Sequence, residues 1–367
     1  MIRRRDFLAS TTAASLLALT ACRDGAPPVA PVTTLPSPPP PPPAPAHPET
    51  TFVSKRRIGR SDISIAPLVL GGNVFGWTAD KARSFELLDR FLDAGLETID
   101  TADIYSAWVP GNSGGESESI IGEWMQRRGN RDRIVVITKV GGEFDGNKGL
   151  SAAHIARSAE ASLKRLQTDY IDVYFSHFFD AETPHEETLA AYDALIRAGK
   201  VRIIGASNFD AAQTRAALEA SAANNLPRYE LLQPRYNLYD RSDFEDPLRE
   251  LAIAESLGVI TYSSLASGFL TGKYRSESDL GQSPRGRGVA RYLDERGLRI
   301  LDALDAVAKL HDAAMAEVAL AWVMAQPGIT APIASATSIE QLDSLARAVT
   351  LRLTDDEVAS LDAASRT

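Results

Sequence analysis

The chain has 367 residues, of which 44% are hydrophobic and 24% are charged. This composition excludes a mainly disordered or collagen-like protein. The 48 acidic residues outnumber the 39 Lys and Arg, giving a net charge of -9. We therefore expect no nucleic-acid partner, because a phosphate backbone requires a basic surface. A single cysteine excludes an internal disulfide framework and a cysteine-based zinc cluster.

The first residues have the pattern of an export signal. Arg4-Arg5 precede Asp6-Phe7-Leu8 and a short apolar run over residues 13–21, which resembles a twin-arginine signal. Leu19-Thr20-Ala21-Cys22 resembles the lipobox of bacterial lipoproteins. We expect cleavage of residues 1–21, lipid on Cys22, and a periplasm-facing anchor in the bacterial cell envelope. The alternative is a basic terminus with a chance cysteine.

A proline-rich segment follows the lipobox. Residues 25–48 contain 12 prolines, including the run Pro38–Pro43. Such a segment cannot build a core, and it is typical of a semi-rigid polyproline spacer. We interpret residues 22–50 as a lipidation site and tether, with a ligand for SH3-like domains as the alternative. The folded domain is then expected at residues 51–367.

In that domain, short runs rich in β-branched residues alternate with longer amphipathic stretches. We expect eight strands at residues 66–70, 97–100, 134–138, 171–176, 201–205, 229–233, 259–262 and 328–333. We expect helices at residues 81–94, 116–128, 152–166, 185–198, 211–223, 246–257 and 339–349, with two more within 298–326. This alternation implies right-handed βαβ units, and eight repeats fit an α/β class fold, the (β/α)8 TIM barrel.

Other segments refine this prediction. Residues 71–76 read GGNVFG, which is not the dinucleotide fingerprint of a doubly wound sheet, and residues 268–274 read GFLTGKY, which is not a P-loop. Residues 55–65 are expected to form an N-terminal β-hairpin that plugs the barrel bottom. Residues 267–295 form a long polar loop after barrel strand 7, and loops of this length are usually functional or disordered.

Four polar side chains fall at or just after the ends of successive predicted strands: Asp100, Tyr105, Lys139 and His177. The carboxyl ends of barrel strands surround one mouth, so we expect these groups to meet there. An ammonium beside a phenol lowers the pKa of the phenol, a carboxylate keeps the ammonium charged, and an imidazole orients a carbonyl oxygen. Each residue alone has an ordinary structural explanation. Together they predict general-acid catalysis on a forming alkoxide, with no metal.

Five segments resemble motifs of the aldo-keto reductase family. They are DTADIY at residues 100–105, ITK at 137–139, DVYFSH at 172–177, GKVRIIGASNF at 199–209 and TYSSLASGFLTGKY at 261–274. The resemblance covers about residues 58–361. It implies a (β/α)8 barrel with a nicotinamide cofactor, in which hydride passes to a carbonyl carbon while Tyr105 supplies the proton.

The resemblance also implies roles for individual residues. Lys139 lowers the pKa of the Tyr105 phenol, Asp100 pairs with Lys139, and His177 orients the substrate carbonyl. Asn208 and Gln233 hold the nicotinamide carboxamide with help from Ser207, and Tyr262 stacks on the ring. The full set of implied cofactor-binding residues is Gly72, Ser207, Asn208, Gln233, Tyr262, Ser263, Leu265, Gly268, Lys273, Ser335, Thr337, Ser338 and Gln341.

Some positions depart from the family pattern. Ser264 stands where proline is usual, and Ser176 stands where an apolar residue is usual. Ser335 and Gln341 occupy places where many relatives have Lys and Arg, and selection of a 2′-phosphate normally uses a cation. The hydroxyls of Thr337 and Ser338 and the N-terminus of the following helix can still hold a phosphate. The resemblance favours NADP(H), with NAD(H) as the alternative.

The expected substrate is a small carbonyl compound. The residues expected to line its pocket are Asn73, Phe75, Trp77, Trp108, Phe178 and Phe179. An aromatic rim suits an aldehyde, a ketone or a sugar ring, while packing of the loops is the plain alternative. Arg285, Arg287 and Arg291 are candidates for the cofactor phosphates. We expect an active reductase; the other hypotheses are a cofactor-binding sensor or subunit of an envelope complex, and a sugar-binding lipoprotein.

Overall fold

Eight parallel strands close into a barrel in this computed structural model, which describes residues 54–366 except Asp145 and Asn147. The barrel strands are β3 (Val69–Gly71), β4 (Thr98–Asp100), β5 (Val135–Val140), β6 (Ile171–Ser176), β7 (Val201–Ser207), β8 (Tyr229–Gln233), β9 (Gly258–Thr261) and β10 (Ala331–Ala334). Their spatial order follows the chain, and β10 pairs with β3 to close the ring. The predicted α/β barrel is confirmed. The predicted leader, lipidation site and tether lie outside the described residues.

Helices surround the barrel between its strands. They are α1 (Lys81–Asp93), α2 (Glu116–Arg128), α3 (Ala152–Leu166), α4 (His185–Arg197), α5 (Ala211–Asn224), α6 (Leu248–Ala254), α7 (Glu295–Leu310), α8 (Met315–Ala325), α9 (Ile339–Ala348) and α10 (Asp355–Ser365). Several begin at an Asp, Ser or Thr whose side chain accepts a first-turn N–H, as Asp80 does for α1 and Asp210 for α5. No helix in the described part of the chain is long and apolar enough to cross a membrane.

Two helices differ from the sequence prediction. The prediction missed α10, although Thr354 and Glu357 form a capping box that marks its start. The predicted helix at residues 246–257 is shorter, because α6 starts only after Pro247. Proline lacks a backbone N–H and is best tolerated at a helix start. These differences lie away from the mouth of the barrel.

The N-terminal hairpin closes the lower end of the barrel, as predicted. Strands β1 (Arg56–Arg57) and β2 (Ser64–Ile65) pair antiparallel. Ile58, Ile63 and Ile65 are buried and join the apolar cluster inside the barrel. Closing this end leaves the carboxyl ends of the strands as the open mouth, where loops can build a site.

The long segment after β9 is ordered as three short 3₁₀ turns, at residues Ala266–Thr271, Glu277–Gln282 and Gly286–Tyr292. The Phe269 and Tyr292 rings stack with centroids 5.3 Å apart, and both side chains are buried. This stacking holds the two ends of the loop together. Arg285 in the same loop donates to Asn73 Oδ1 at 3.3 Å, so the loop reaches the mouth next to the end of β3.

Gly122 sets how closely α2 packs on α3. A Cβ at this position would lie 2.7 Å from Leu166 Cα, a backbone atom that cannot rotate away. We expect Gly122→Ala to reduce the free energy of unfolding by about 1–3 kcal/mol through overpacking. Thermal unfolding followed by circular dichroism measures this. Gly281→Ala is the matched control, since a Cβ there meets nothing within 4 Å; equal melting of the two variants would contradict the packing argument.

Candidate active site

The four predicted catalytic side chains converge at the mouth of the barrel. Asp100 is the last residue of β4, Lys139 lies near the end of β5, and His177 directly follows β6. Tyr105 is carried by a turn after β4, in which its N–H donates to Ala102 O at 3.1 Å. Parallel strands bring their carboxyl ends to one place, and the turn folds the phenol back over them.

A buried ammonium is the centre of the group. Lys139 Nζ donates to both carboxylate oxygens of Asp100 at 2.7 Å, to Thr101 O at 2.8 Å and to Tyr105 OH at 3.0 Å. The Tyr105 hydroxyl donates to Asp100 Oδ2 at 3.1 Å. Lys139 is fully buried and Asp100 is 1% exposed. The phenol therefore accepts from the ammonium while it donates to the carboxylate.

Burial decides the protonation of these groups. Burial, followed by the Asp100 charge, raises the pKa of Tyr105 well above its usual value. The role of Lys139 in lowering the pKa of this phenol stays a prediction for the ammonium's own contribution, because desolvation and the carboxylate raise the pKa of the same phenol. Burial also lowers the pKa of Lys139, and its pairing with Asp100 opposes that shift. The site holds a neutral phenol that keeps its proton at physiological pH.

His177 lies beside the phenol as a neutral imidazole. Burial, helped by the Lys139 charge, lowers the pKa of His177 well below its usual value. Its ring centroid is 6.3 Å from that of Tyr105, and its Nδ1 atom has no hydrogen-bond partner among the described residues. A neutral imidazole at this position can donate one N–H to an oxygen in the mouth.

The amide residues predicted for the cofactor form one hydrogen-bonded row. Asn208 Nδ2 donates to His177 O at 2.9 Å, and Tyr262 OH donates to Asn208 Oδ1 at 2.7 Å. Ser207 Oγ donates to Gln233 O at 2.9 Å, and Gln233 Nε2 donates to Asp100 Oδ1 at 2.8 Å. Asn208 has a φ of +58°, a conformation that few residues other than glycine adopt. The row connects the ends of β7, β8 and β9 to the catalytic carboxylate.

The turn after β9 concentrates backbone strain. Ser263, Ala266 and Ser267 have φ values of +54°, +48° and +58°, and Gly268 has +94°. Each such non-glycine residue costs of order 1–3 kcal/mol, and strain of this kind clusters at ligand-binding sites. The predicted residues Ser263, Leu265 and Gly268 lie in this turn, while Ala266 and Ser267 were missed.

Nearby side chains support the same turn. A Cβ built on Gly268 would lie 3.7 Å from Lys273 Nζ, so the predicted Lys273 ammonium reaches the turn. Ser264, which replaces the usual proline, donates from Oγ to Thr261 O at 2.9 Å. This hydrogen bond fixes the backbone that proline would otherwise restrict.

The end of β10 lies next to the end of β3. Ser335 Oγ donates to Asn73 Oδ1 at 2.7 Å, and the buried Gly72 allows Asp100 O within 3.0 Å of where a Cβ would be. At the start of α9, the N–H and hydroxyl of Thr337 both donate to Gln341 Oε1. Ser338 is the N-cap of α9. The predicted residues of this segment thus surround one helix N-terminus.

Aromatic side chains form part of the rim. The Trp77 and Trp108 rings are perpendicular with centroids 5.7 Å apart, and Phe178 stacks on His177 at 4.7 Å. Trp108 is 49% exposed and Phe178 is 45% exposed. The other two aromatic residues of the predicted pocket make packing contacts. Phe75 is fully buried in the core, and the half-buried Phe179 packs on Phe209, so their place in the pocket stays a prediction.

Of the three candidate arginines, Arg285 alone contacts the rim. Its guanidinium donates to Asn73 Oδ1 at 3.3 Å and lies 5.4 Å from the centre of the Trp77 ring. Arg291 is paired with Asp240 at 3.1 Å, and Arg287 is exposed. The pairing with Asp240 therefore removes Arg291 from the set predicted to face the mouth.

The Lys139–Asp100 pair should show strong energetic coupling. Removing one member of a buried ion pair costs about 3–5 kcal/mol, because the other charge is left uncompensated. We expect Lys139→Met and Asp100→Asn each to lower the free energy of unfolding by about that amount, and the double variant to lose much less than the sum. Urea unfolding of the four proteins measures the coupling, and additive losses would contradict it.

Comparisons with known proteins agree with this geometry. The model of the Aldo/keto reductase family matches residues 67–366. The chain is 36% identical over 309 residues to the uncharacterized oxidoreductase YrpG of Bacillus subtilis, covering 82% of this chain and 92% of that protein. It is 31% identical over 337 residues to the protein tas of Escherichia coli, covering 84% and 96%. It is 31% identical over 304 residues to the aldo-keto reductase YhdN of Bacillus subtilis, covering 81% and 87%. The chain belongs to the aldo/keto reductase family and is an NAD(P)H-dependent carbonyl oxidoreductase.

Proposed function

We propose that this protein reduces an aldehyde, ketone or sugar carbonyl with Tyr105 as the proton donor. One observation carries this proposal: the half-buried phenol lies between the Lys139 ammonium at 3.0 Å and the Asp100 carboxylate at 3.1 Å. The relatives named as oxidoreductases and reductases support catalysis, and nothing in the site favours a sensor or a sugar-binding protein without redox chemistry.

The phenol proton of Tyr105 is transferred to the oxygen of the substrate carbonyl. A carbonyl oxygen above Tyr105 replaces Asp100 as the acceptor of the phenol proton. As that proton leaves, negative charge develops on the phenol oxygen, and the Lys139 ammonium stabilises it at hydrogen-bond distance. The neutral His177 imidazole donates an N–H to the same carbonyl oxygen and fixes its direction. Bound reduced nicotinamide supplies the hydride to the carbonyl carbon. The reverse sequence oxidises an alcohol.

The residues at the mouth fit a nicotinamide cofactor. The amides of Asn208 and Gln233 offer donors and acceptors for a carboxamide, and the Tyr262 ring lies beside them, held by its hydroxyl on Asn208. The strained turn after β9 has successive residues with positive φ, and such turns are suited to phosphate. Arg285 adds a cation next to Asn73, at the end of β3. These groups would hold the nicotinamide and the pyrophosphate.

The proton-donor role has a direct test. We expect Tyr105→Phe to lower kcat/KM for aldehyde reduction by about 10²–10⁴-fold, the usual contribution of a general acid, without weakening NADPH binding. Loss of NADPH absorbance gives the rate, and quenching of tryptophan fluorescence gives the dissociation constant. Tyr170→Phe, at the start of β6 and therefore at the closed end of the barrel, is the matched control. Full activity of Tyr105→Phe would overturn the assignment.

We propose NADP(H) as the preferred cofactor. The start of α9 offers the hydroxyls of Thr337 and Ser338 at a helix N-terminus, which attracts a phosphate. We expect Thr337→Val to raise the dissociation constant of NADPH about tenfold through a lost charge-assisted hydrogen bond, with little change for NADH. Ser344→Ala is the control, because Ser344 donates to Glu317 instead. Equal binding of NADH and NADPH by the unaltered protein would contradict this preference.

We also propose that the protein is exported by the twin-arginine machinery and anchored by lipid on Cys22. The support is the order of Arg4-Arg5, the apolar run and the lipobox in the sequence. With the full chain expressed in a bacterium, we expect Cys22→Ser to move the protein from the membrane to the soluble fraction. Arg4→Lys with Arg5→Lys should block export, whereas Arg3→Lys should not. Membrane attachment of Cys22→Ser, or export without the arginine pair, would refute the respective step.

A further inference from the structure

A further buried carboxyl, that of Asp103, lies close to the catalytic pair. Asp103 is 3% exposed, and its backbone N–H donates to Lys139 O at 3.3 Å, so it is attached to the strand that carries the ammonium. Its Oδ1 atom has no hydrogen-bond partner among the described residues. The mechanism above makes no use of this carboxyl.

The charges around Asp103 are already balanced without it. Asp100 pairs with Lys139 at 2.7 Å, and Glu118 of α2 pairs with Arg165 of α3 at 2.6 Å. Glu118 also accepts from Thr138 Oγ1 at 2.6 Å. Within residues 54–366 apart from the two undescribed positions, no cation lies within salt-bridge distance of Asp103. An ionised Asp103 would therefore add one uncompensated negative charge to a dry interior.

The groups that act on Asp103 come from every element packed around it. They are Glu118 of α2, Arg165 of α3, Lys139 of β5, Tyr174 of β6 and Tyr192 of α4. The hydroxyl of Tyr174 is also buried without a partner among the described residues. Burial and the Glu118 charge raise the pKa of Asp103 to about 8, against the weaker opposing effects of Arg165 and Lys139.

We propose that Asp103 is a positioning residue whose neutral carboxyl preserves the full positive field of Lys139 on Tyr105. When Asp103 ionises, its negative charge offsets part of that field. The developing charge on the phenol oxygen is then less stabilised, and the phenol becomes a weaker acid. Carbonyl reduction is therefore fastest with Asp103 protonated and slows as pH rises through its titration. This inference rests on the proposed role of Tyr105.

The direct test is the pH dependence of kcat for Asp103→Asn, which keeps the shape of the neutral carboxyl. For the unaltered enzyme with saturating NADPH and aldehyde, we expect kcat to fall about tenfold between pH 7 and 9, from the effect of one nearby charge. In Asp103→Asn that fall should be largely absent, so that its kcat exceeds that of the unaltered enzyme at pH 9 with KM unchanged. Asp93→Asn, on the exposed end of α1, should behave as the unaltered enzyme.

Stability supplies a readout that needs no turnover. The carboxyl of Asp103 holds its proton more tightly in the folded state than in the unfolded chain, where its pKa is near 3.8. Its contribution is therefore fully present below pH 4 and is lost as pH rises through about 8. We expect the melting temperature of the unaltered protein to fall relative to Asp103→Asn between pH 5 and 8, with no such change relative to Asp93→Asn.

The outcomes separate the two proposals. A changed melting profile together with a flattened kcat profile supports the positioning role. A changed melting profile with an unaltered kcat profile shows that Asp103 titrates without acting on the catalytic pair, and this overturns the role. Unchanged profiles in both measurements overturn it as well. Absence of aldehyde turnover in the unaltered protein refutes the proposed function itself, while the melting series still reports whether Asp103 is held neutral.

Discussion

The ion pair between Lys139 and Asp100 is the constraint on which the rest of the site depends. A fully buried ammonium is costly unless each of its hydrogens has an acceptor. Asp100 and Thr101 O supply these acceptors from β4 and the turn that follows it. Asp100 is in turn held by Gln233 of β8. The barrel makes this arrangement possible because only a closed ring brings β4, β5 and β8 to one point.

The same requirement, that a buried charge has a partner, holds for a second group of side chains in the interior. Glu118 and Arg165 form a second pair between α2 and α3. Gly115 leaves space for the Arg165 side chain, because a Cβ at position 115 would lie 2.5 Å from Arg165 Cδ. The pair between these two helices also acts on the site, because the Glu118 charge opposes the lowering of the Lys139 pKa. In our proposal, the neutral carboxyl of Asp103 keeps the effect of Lys139 on the phenol undiminished.

The residues predicted to bind the cofactor are placed by the strand ends and the loops that follow them. The polar groups on this side stand at the ends of strands rather than on a glycine-rich helix turn. They belong to the strained backbone after β9, the hydrogen-bonded row from Ser207 to Tyr262, and the Ser335–Asn73 contact. The 3₁₀ segment after β9 carries Arg285 across to the Trp77 rim. The positive charge of Arg285 at the mouth is therefore carried by a loop. A cation on a loop suits a ligand that must enter and leave the site.

The sequence by itself determined the order of strands and helices, the plugging hairpin and the positions of Asp100, Tyr105, Lys139 and His177, because periodicity and strand-end polarity are local patterns. It did not reveal α10, although the capping box of Thr354 and Glu357 is itself a local signal. Only the tertiary structure decided which aromatic side chains form the rim, which arginine contacts that rim, and the pKa directions of Tyr105 and Asp103. Those properties depend on burial and on charges from segments distant in the chain, and a local sequence pattern predicts neither.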